Sequence, residues 1–313
     1  SLIQAEVDLI KNLLKHGRFD EALQASKRMQ ERYPDAAAAH LMEGLAWLAK
    51  GQTPKGTAAL ETALKLNPGD PAVTHSLATI AIVAKQGQVA RDLYKNALQQ
   101  HPNHLATLLN LANLAKNSND PVARLTWLKQ AVAAHPNSIQ ATILLAQTYM
   151  ETGAPKDALN TALPALRKDS GNRALLEVSG AAQFAIGQVK PAISTYERLV
   201  AASPKSAQAH LYLAEANLLV KQYGKAKTAL DNVLKIDPGH RKAKLMRAQL
   251  ALKEKDLDTA KTLTGELEQS GTRGPRIIRL NVGIATLQRD TPTALAGLTE
   301  LYPDSLRMRK KGL

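Results

Sequence analysis

Apolar residues recur at three- and four-residue intervals along almost the whole chain, with short polar breaks between the runs. The stretch GTAALETALKLNP (56–68) returns in kind as ARDLYKNALQQHP (90–102) and as KTALDNVLKIDP (227–238). Each is an apolar helix face stopped by a proline, which lacks the N–H a helix needs to continue. The closing prolines Pro34, Pro68, Pro102, Pro136, Pro204 and Pro238 are separated by 34, 34, 34, 68 and 34 residues. Setting each proline third from the end of a 34-residue repeat gives nine repeats: 3–36, 37–70, 71–104, 105–138, 139–172, 173–206, 207–240, 241–274 and 275–303. Two apolar runs of helical period in each repeat predict an all-α fold, a single array over 3–303 followed by a basic tail at 304–313.

Places within a repeat carry the reasons. Gly17, Gly51, Gly153 and Gly187 fall at place 15, where a first helix ends and a residue without Cβ tolerates positive φ. Pro54, Pro121, Pro155, Pro191 and Pro292 fall at places 17 to 19, the first turn of the second helix, where a missing N–H is harmless. Place 8 is small in repeats two to eight (Gly44, Ala78, Ala112, Ala146, Gly180, Ala214, Ala248), and so is most of place 20 (Ala22, Gly56, Ala90, Ala158, Ala192, Ala226, Ala260, Ala294), with Arg124 the exception. Small residues at two matching places predict a close helix crossing. Pro164 alone stands in the middle of an expected helix and predicts a kink or altered stacking there.

A 34-residue helix–turn–helix repeat that is small at places 8 and 20, often Ala at 27 (Ala63, Ala97, Ala131, Ala165), with proline at 32, resembles the tetratricopeptide repeat. The resemblance implies a right-handed superhelix whose first helices line a concave groove for a peptide or partner protein. It also carries departures: His40 and His210 stand at place 4 where the family has Trp, and Ser170 and Thr272 stand where proline is expected. More loosely, AHLYLAEANLLVKQYGKAKTALDNVLKIDP is similar to repeat proteins of bacterial envelope systems, the lipoproteins of exopolysaccharide and exosortase loci. That likeness implies a periplasmic or envelope-associated setting.

Composition narrows the chemistry. The 313 residues contain no cysteine, which removes disulfides, thiolate zinc sites and thiol redox chemistry. The longest uncharged stretch, 130–150, contains His135, Pro136, Asn137 and Gln147, so no membrane span is expected. The chain starts at Ser1, as a chain with a removed export signal would. The net charge is +14, and residues 241–313 hold 15 lysines and arginines against 8 acidic residues. Such a balance favours acidic partners.

No motif reads as catalytic. GQTPKGT (51–57) lacks the Gly-Lys-Thr order and the preceding strand of a phosphate loop. His101 and His104 are three apart, with His135 and His240 at matching places, but no HExxH accompanies them; a histidine near a helix C-terminus explains them without a metal. Glu254, Asp256 and Asp258 read as a solvated cluster. We therefore expect no enzyme, no cofactor and no metal.

Places 2, 5, 9 and 12 share one face of the first helix, and the family resemblance turns that face into the groove. The expected ligand row runs Leu41, Leu45, His75, Thr79, Leu109, Asn113, Ile143, Gln147, Glu177, Leu211 and Glu215, ending in the basic residues Lys242, Arg276 and Arg279. An apolar strip punctuated by amides suits a peptide backbone. The family's carboxylate clamp does not match, since the relevant places hold His75, Thr79, Asn110, Gln140 and Leu144. Nucleic acid is disfavoured: the chain has 2 Phe, 2 Trp and 7 Tyr for base stacking, and the groove places lack a repeating polar pair. The leading expectation is a peptide- or protein-binding scaffold. The alternative is a binder of an anionic polymer, nucleic acid or acidic polysaccharide, through the basic C-terminal repeats. The oligomeric state stays open.

Overall fold

The computed structural model describes residues 2–272 and 274–302; the expected tail at 304–313 lies outside the described residues. Among the described residues the chain forms eighteen α-helices and no strand. It divides into two compact bodies, Ser1–Thr152 and Gly153–Leu313. The N-terminal body holds α1 (Leu2–Lys15), α2 (Phe19–Arg32), α3 (Ala37–Ala49), α4 (Thr53–Leu66), α5 (Pro71–Val83), α6 (Gly87–Gln100), α7 (Leu105–Asn117), α8 (Pro121–Ala134) and α9 (Ile139–Glu151). The C-terminal body holds α10 (Pro155–Lys168), α11 (Arg173–Ala185), α12 (Val189–Ala202), α13 (Ala207–Leu219), α14 (Tyr223–Ile236), α15 (Arg241–Glu254), α16 (Leu257–Gln269), α17 (Pro275–Leu287) and α18 (Thr291–Leu301). Within each body every helix packs on the next in sequence.

The helices keep the proline register. First helices from α3 to α17 begin at residues 37, 71, 105, 139, 173, 207, 241 and 275, a constant step of 34. Local chemistry sets the start. The residue at place 34 caps the following first helix with its own side chain in six consecutive cases: Asp70, His104, Ser138, Asn172, Ser206 and His240 each accept from a backbone N–H two or three residues on. The stop is equally regular. Place 15 lies in the left-handed region in all nine repeats, at Gly17, Gly51, Gly153 and Gly187 but also at Lys85, Asn119, Lys221, Lys255 and Arg289. The glycines were legible as the chain-reversing device; the side-chain-bearing residues doing the same thing were not.

The expected close crossing is present. A Cβ added to Gly44 would lie 3.1 Å from the Gly56 carbonyl oxygen and 2.7 Å from Leu60 Cγ; one added to Gly56 would lie 3.0 Å from the Gly44 oxygen. Gly180 is forced by its neighbour: a Cβ there would sit 2.5 Å from Cε1 of Tyr196, which is buried and stacked on Tyr212 at 5.3 Å between ring centroids. Arg124, the exception at place 20, is 5% exposed and its guanidinium ion-pairs with Glu151 of α9. The helix through Pro164 runs unbroken from Pro155 to Lys168 with the proline on its exposed side. Each body builds its core from the inward small and leucine places, such as Leu60 with Ala63 and Leu77 in one and Leu230 with Ala226 and Ala229 in the other.

Two outcomes follow from this packing. Gly180→Ala should lower thermal stability by about 1–3 kcal/mol through overpacking, and Tyr196→Leu in the same chain should restore most of it, because Ala opposite Leu already occurs at Ala112 with Leu128 and at Ala214 with Leu230. Thermal melts of the two single variants and the double variant measure this; a neutral Gly180→Ala would contradict it. At place 15 the cost is conformational alone, since a Cβ on Gly187 meets nothing within 4 Å. Gly187→Ala should therefore destabilise by about 1 kcal/mol and Lys221→Gly should stabilise by a similar or smaller amount, read as opposite shifts in melting temperature.

Candidate functional site

The first-helix face does not present its predicted residues uniformly. In the N-terminal body, Leu41 and Leu45 are half-buried against the core, His75, Thr79, Asn113 and Gln147 are exposed, and Ile143 is half-buried. Leu109 is 7% exposed and packs in the core cluster with Tyr94, Leu108 and Leu111. In the C-terminal body Leu211 is 3% exposed and belongs to the core with Ala214 and Leu230, while Glu177 is exposed and Glu215 half-buried. Leu109 and Leu211 thus share a place with exposed His75 and Glu177, and serve packing first.

A recurring polar contact crosses this face from one repeat to the next. In the N-terminal body the Asn110 amide donates to His75 Nδ1 at 3.1 Å, and the Tyr94 hydroxyl meets the same nitrogen at 3.0 Å. In the C-terminal body the Tyr212 hydroxyl donates to Glu177 at 3.2 Å, with the Tyr196 ring stacked behind it. Both link place 5 to place 6 of the following repeat and put a tyrosine from place 24 beneath the pair. Burial raises the Tyr94 phenol, and burial with Tyr212, Glu215 and Glu177 nearby raises that of Tyr196, so both phenols stay neutral. The place-9 side chains differ: Thr79 turns back to the His75 carbonyl at 2.8 Å, whereas Asn113 and Gln147 make no hydrogen bond among the described residues.

The three predicted basic residues come together. Lys242, Arg276 and Arg279 line one cleft of about 620 Å³ between α15 and α17, joined by Arg241, with Leu245, Leu267 and Ile277 forming an apolar floor. Lys242 is ion-paired to Glu215, and Arg241 reaches the Ser270 carbonyl at 3.4 Å. Arg276 and Arg279 are exposed and have no ion pair or hydrogen bond among the described residues. Arg241 stands at place 1, off the face formed by places 2, 5, 9 and 12, and its signal in the sequence is adjacency to Lys242.

The histidines divide into two kinds. His101 and His135 are C-terminal caps of α6 and α8, as a helix C-terminus reading expects. His104 and His240 instead cap the N-termini of α7 and α15 through Nδ1, accepting from Thr107 N at 3.4 Å and Ala243 N at 3.3 Å. Their shared place with Asp70 and Ser138 was the available signal. His210, at place 4, is buried and its Nε2 donates to the Pro204 carbonyl at 3.1 Å. No group of three or more His, Asp or Glu arranged to hold a metal occurs among the described residues. Asp256 caps α16 at Thr259 N, and its hydrogen bonds there hold its carboxyl below the ordinary range. Among the described residues no helix is long and apolar enough to cross a membrane.

The family profile of the tetratricopeptide repeat matches residues 7–71, 143–206 and 180–226. Among solved structures, the C-terminal part of a repeat-containing protein from Cytophaga hutchinsonii is 16% identical over 76% of this chain and 97% of its own, with a TM-score of 0.61. PilF of Pseudomonas aeruginosa is 16% identical over 69% of this chain and 98% of its own, with a TM-score of 0.53. YrrB, described as a tetratricopeptide protein with an unusual peptide-binding site, is 18% identical over 64% and 99%, with a TM-score of 0.52. These likenesses show the shared fold. None of the curated proteins matches the chain.

The His104 cap sets a pH dependence. Burial, followed by the neighbouring His101 and His135, holds His104 below the ordinary imidazole value of 6.5. The folded state thus disfavours the proton, so the stability tied to neutral His104 is complete above pH 6.5 and is lost as pH falls below it. Melting temperatures at about pH 7.5 and pH 5 should show a fall on acidification. His104→Asn, which keeps a cap without titrating, should make that fall smaller; an unchanged fall would contradict the assignment.

Proposed function

The chain belongs to the tetratricopeptide-repeat family, and on that premise we propose that it is a non-catalytic scaffold gripping a segment of a partner protein along its first helices. The observation that carries this reading is the pair of open amides, Asn113 and Gln147, exposed at corresponding places of adjacent repeats and without a hydrogen-bond partner among the described residues. A carboxamide offers both donors and an acceptor, which matches the alternating N–H and C=O of a bound backbone. Leu41, Leu45 and Ile143, half-buried along the same row, supply apolar surface for the segment's side chains. Leu109 and Leu211 act beneath this surface by holding the repeats together.

The same proposal includes a periplasmic or envelope-associated setting, in an exopolysaccharide secretion system, supported by the likeness of the repeat sequence to envelope proteins of that kind. A second reading, an anionic polymer held by the basic C-terminal repeats, is favoured by one observation: Lys242, Arg276 and Arg279 line a common cleft.

The scaffold reading is tested by affinity capture from native extract and envelope fractions at about 150 mM salt, where surface attraction is screened beyond about 8 Å. The chain is compared with an Asn113→Ala, Gln147→Ala variant, both sites being exposed and outside the core. A protein held by the unaltered chain should be lost at least tenfold by the variant. Partners captured equally by both chains would count against this face.

A further inference from the structure

We infer that the cleft between α15 and α17 seats an acidic, aliphatic peptide segment, one in which carboxylates alternate with leucine-like side chains. This rests on the scaffold reading and names the chemistry of the ligand at the C-terminal end of the first-helix row.

Charge supports the assignment. Four cations line the cleft and no Asp or Glu does. Lys242 is already matched by Glu215, and Arg241 has a carbonyl within reach. Arg276 and Arg279, three apart on α17, are unmatched among the described residues. Like charges at that spacing repel across one helix face, so the folded chain carries a local cost that an arriving carboxylate removes. A guanidinium offers two parallel N–H donors that fit a carboxylate, and two of them side by side fit two acidic groups on one strand of peptide.

The floor decides between ligands of the same sign. Leu245, Leu267 and Ile277 line the bottom of the cleft, with the last two buried. An apolar floor rewards an aliphatic side chain lying between the charged groups, which a peptide has and an acidic sugar lacks. No aromatic residue lines the cleft, so the stacking surface that single-stranded nucleic acid uses is missing too. The hollow at the corresponding places of the N-terminal body gives the contrast. It is lined by Asn103, His104, Leu105, Ala106, Leu109, His135 and Gln140, similar in framework but with two histidines in place of lysine and arginine. The basic rim is therefore a property of these side chains and not of the repeat framework.

The probe is an amide-capped, fluorescein-labelled peptide, GSELELEGS, followed by anisotropy at about 150 mM salt. Its controls are GSQLQLQGS, which removes the charge, GSEGEGEGS, which removes the aliphatic side chains, and a heparin-derived oligosaccharide as the anionic-sugar probe. The unaltered chain should bind the first peptide at least tenfold more tightly than any control. Arg276→Gln with Arg279→Gln should weaken that binding at least tenfold without lowering the melting temperature, because both side chains are exposed and neither makes an ion pair or hydrogen bond among the described residues. Asn113→Ala with Gln147→Ala should leave it unchanged. Absence of peptide binding, equal binding of the glycine control, insensitivity to the arginine changes, or tighter binding of the oligosaccharide would each overturn the inference, the last in favour of an anionic polymer. Should the peptide fail while a natural partner is still lost on changing Asn113 and Gln147, the inference falls and the scaffold reading stands. Should the peptide bind as expected while no partner depends on those amides, the scaffold reading falls and the cleft stands.

Discussion

Everything in this molecule depends on how closely the two helices of a repeat can cross. Between α3 and α4 the backbones are near enough that a methyl on Gly44 would press on the Gly56 carbonyl, and one on Gly56 on the Gly44 carbonyl. Approach on that scale allows no compromise between side chains, so place 8 and place 20 stay small almost throughout. Once the distance is set, a larger residue at place 24 fills what remains. Leu60, Tyr94, Leu128, Tyr196 and Leu230 do so, all buried. Gly180 shows the exchange most directly, its missing Cβ being the room that Tyr196 occupies. Core packing at native density makes such pairs interdependent.

The crossing would be useless if the chain arrived out of phase. A helix start fixed in six cases by a side-chain cap, a reversal fixed by one left-handed residue and, in most repeats, a stop fixed by proline keep successive first helices 34 residues apart. These are local devices of about 1 kcal/mol each. None could hold an isolated pair of helices together, because one repeat cannot bury its own apolar face. The last described helix illustrates the point: α18 has no buried residue, and Leu295 and Leu298 stand exposed on it. Within each body, each helix packs on the next in sequence.

Polar groups obey the same geometry. Where an arginine replaces the small residue at place 20, its charge is carried to Glu151. Arg247, also buried, meets Asp231 at 2.9 Å. Both buried arginines are thus matched; among the described residues the exposed Arg276 and Arg279 of α17 are not. That asymmetry distinguishes side chains that hold the array from those free to meet something else.

The sequence by itself determined the period, the helix boundaries, the small crossing places and the all-α class, because each follows from the residue's own backbone preference: proline without an N–H, glycine without a Cβ, a short polar side chain folding back on its helix. It also indicated that Lys242, Arg276 and Arg279 belong to one end of the first-helix row. Only the tertiary structure decided which members of that row meet solvent. Place 5 holds exposed His75 and Glu177 and buried Leu109 and Leu211, since the cover over a helix face comes from neighbouring repeats and not from the helix itself. For the same reason Arg241 joined the basic cleft unannounced, and His104 proved to be a cap whose ring must stay neutral. Period is written along one chain segment; exposure is a property of several segments at once.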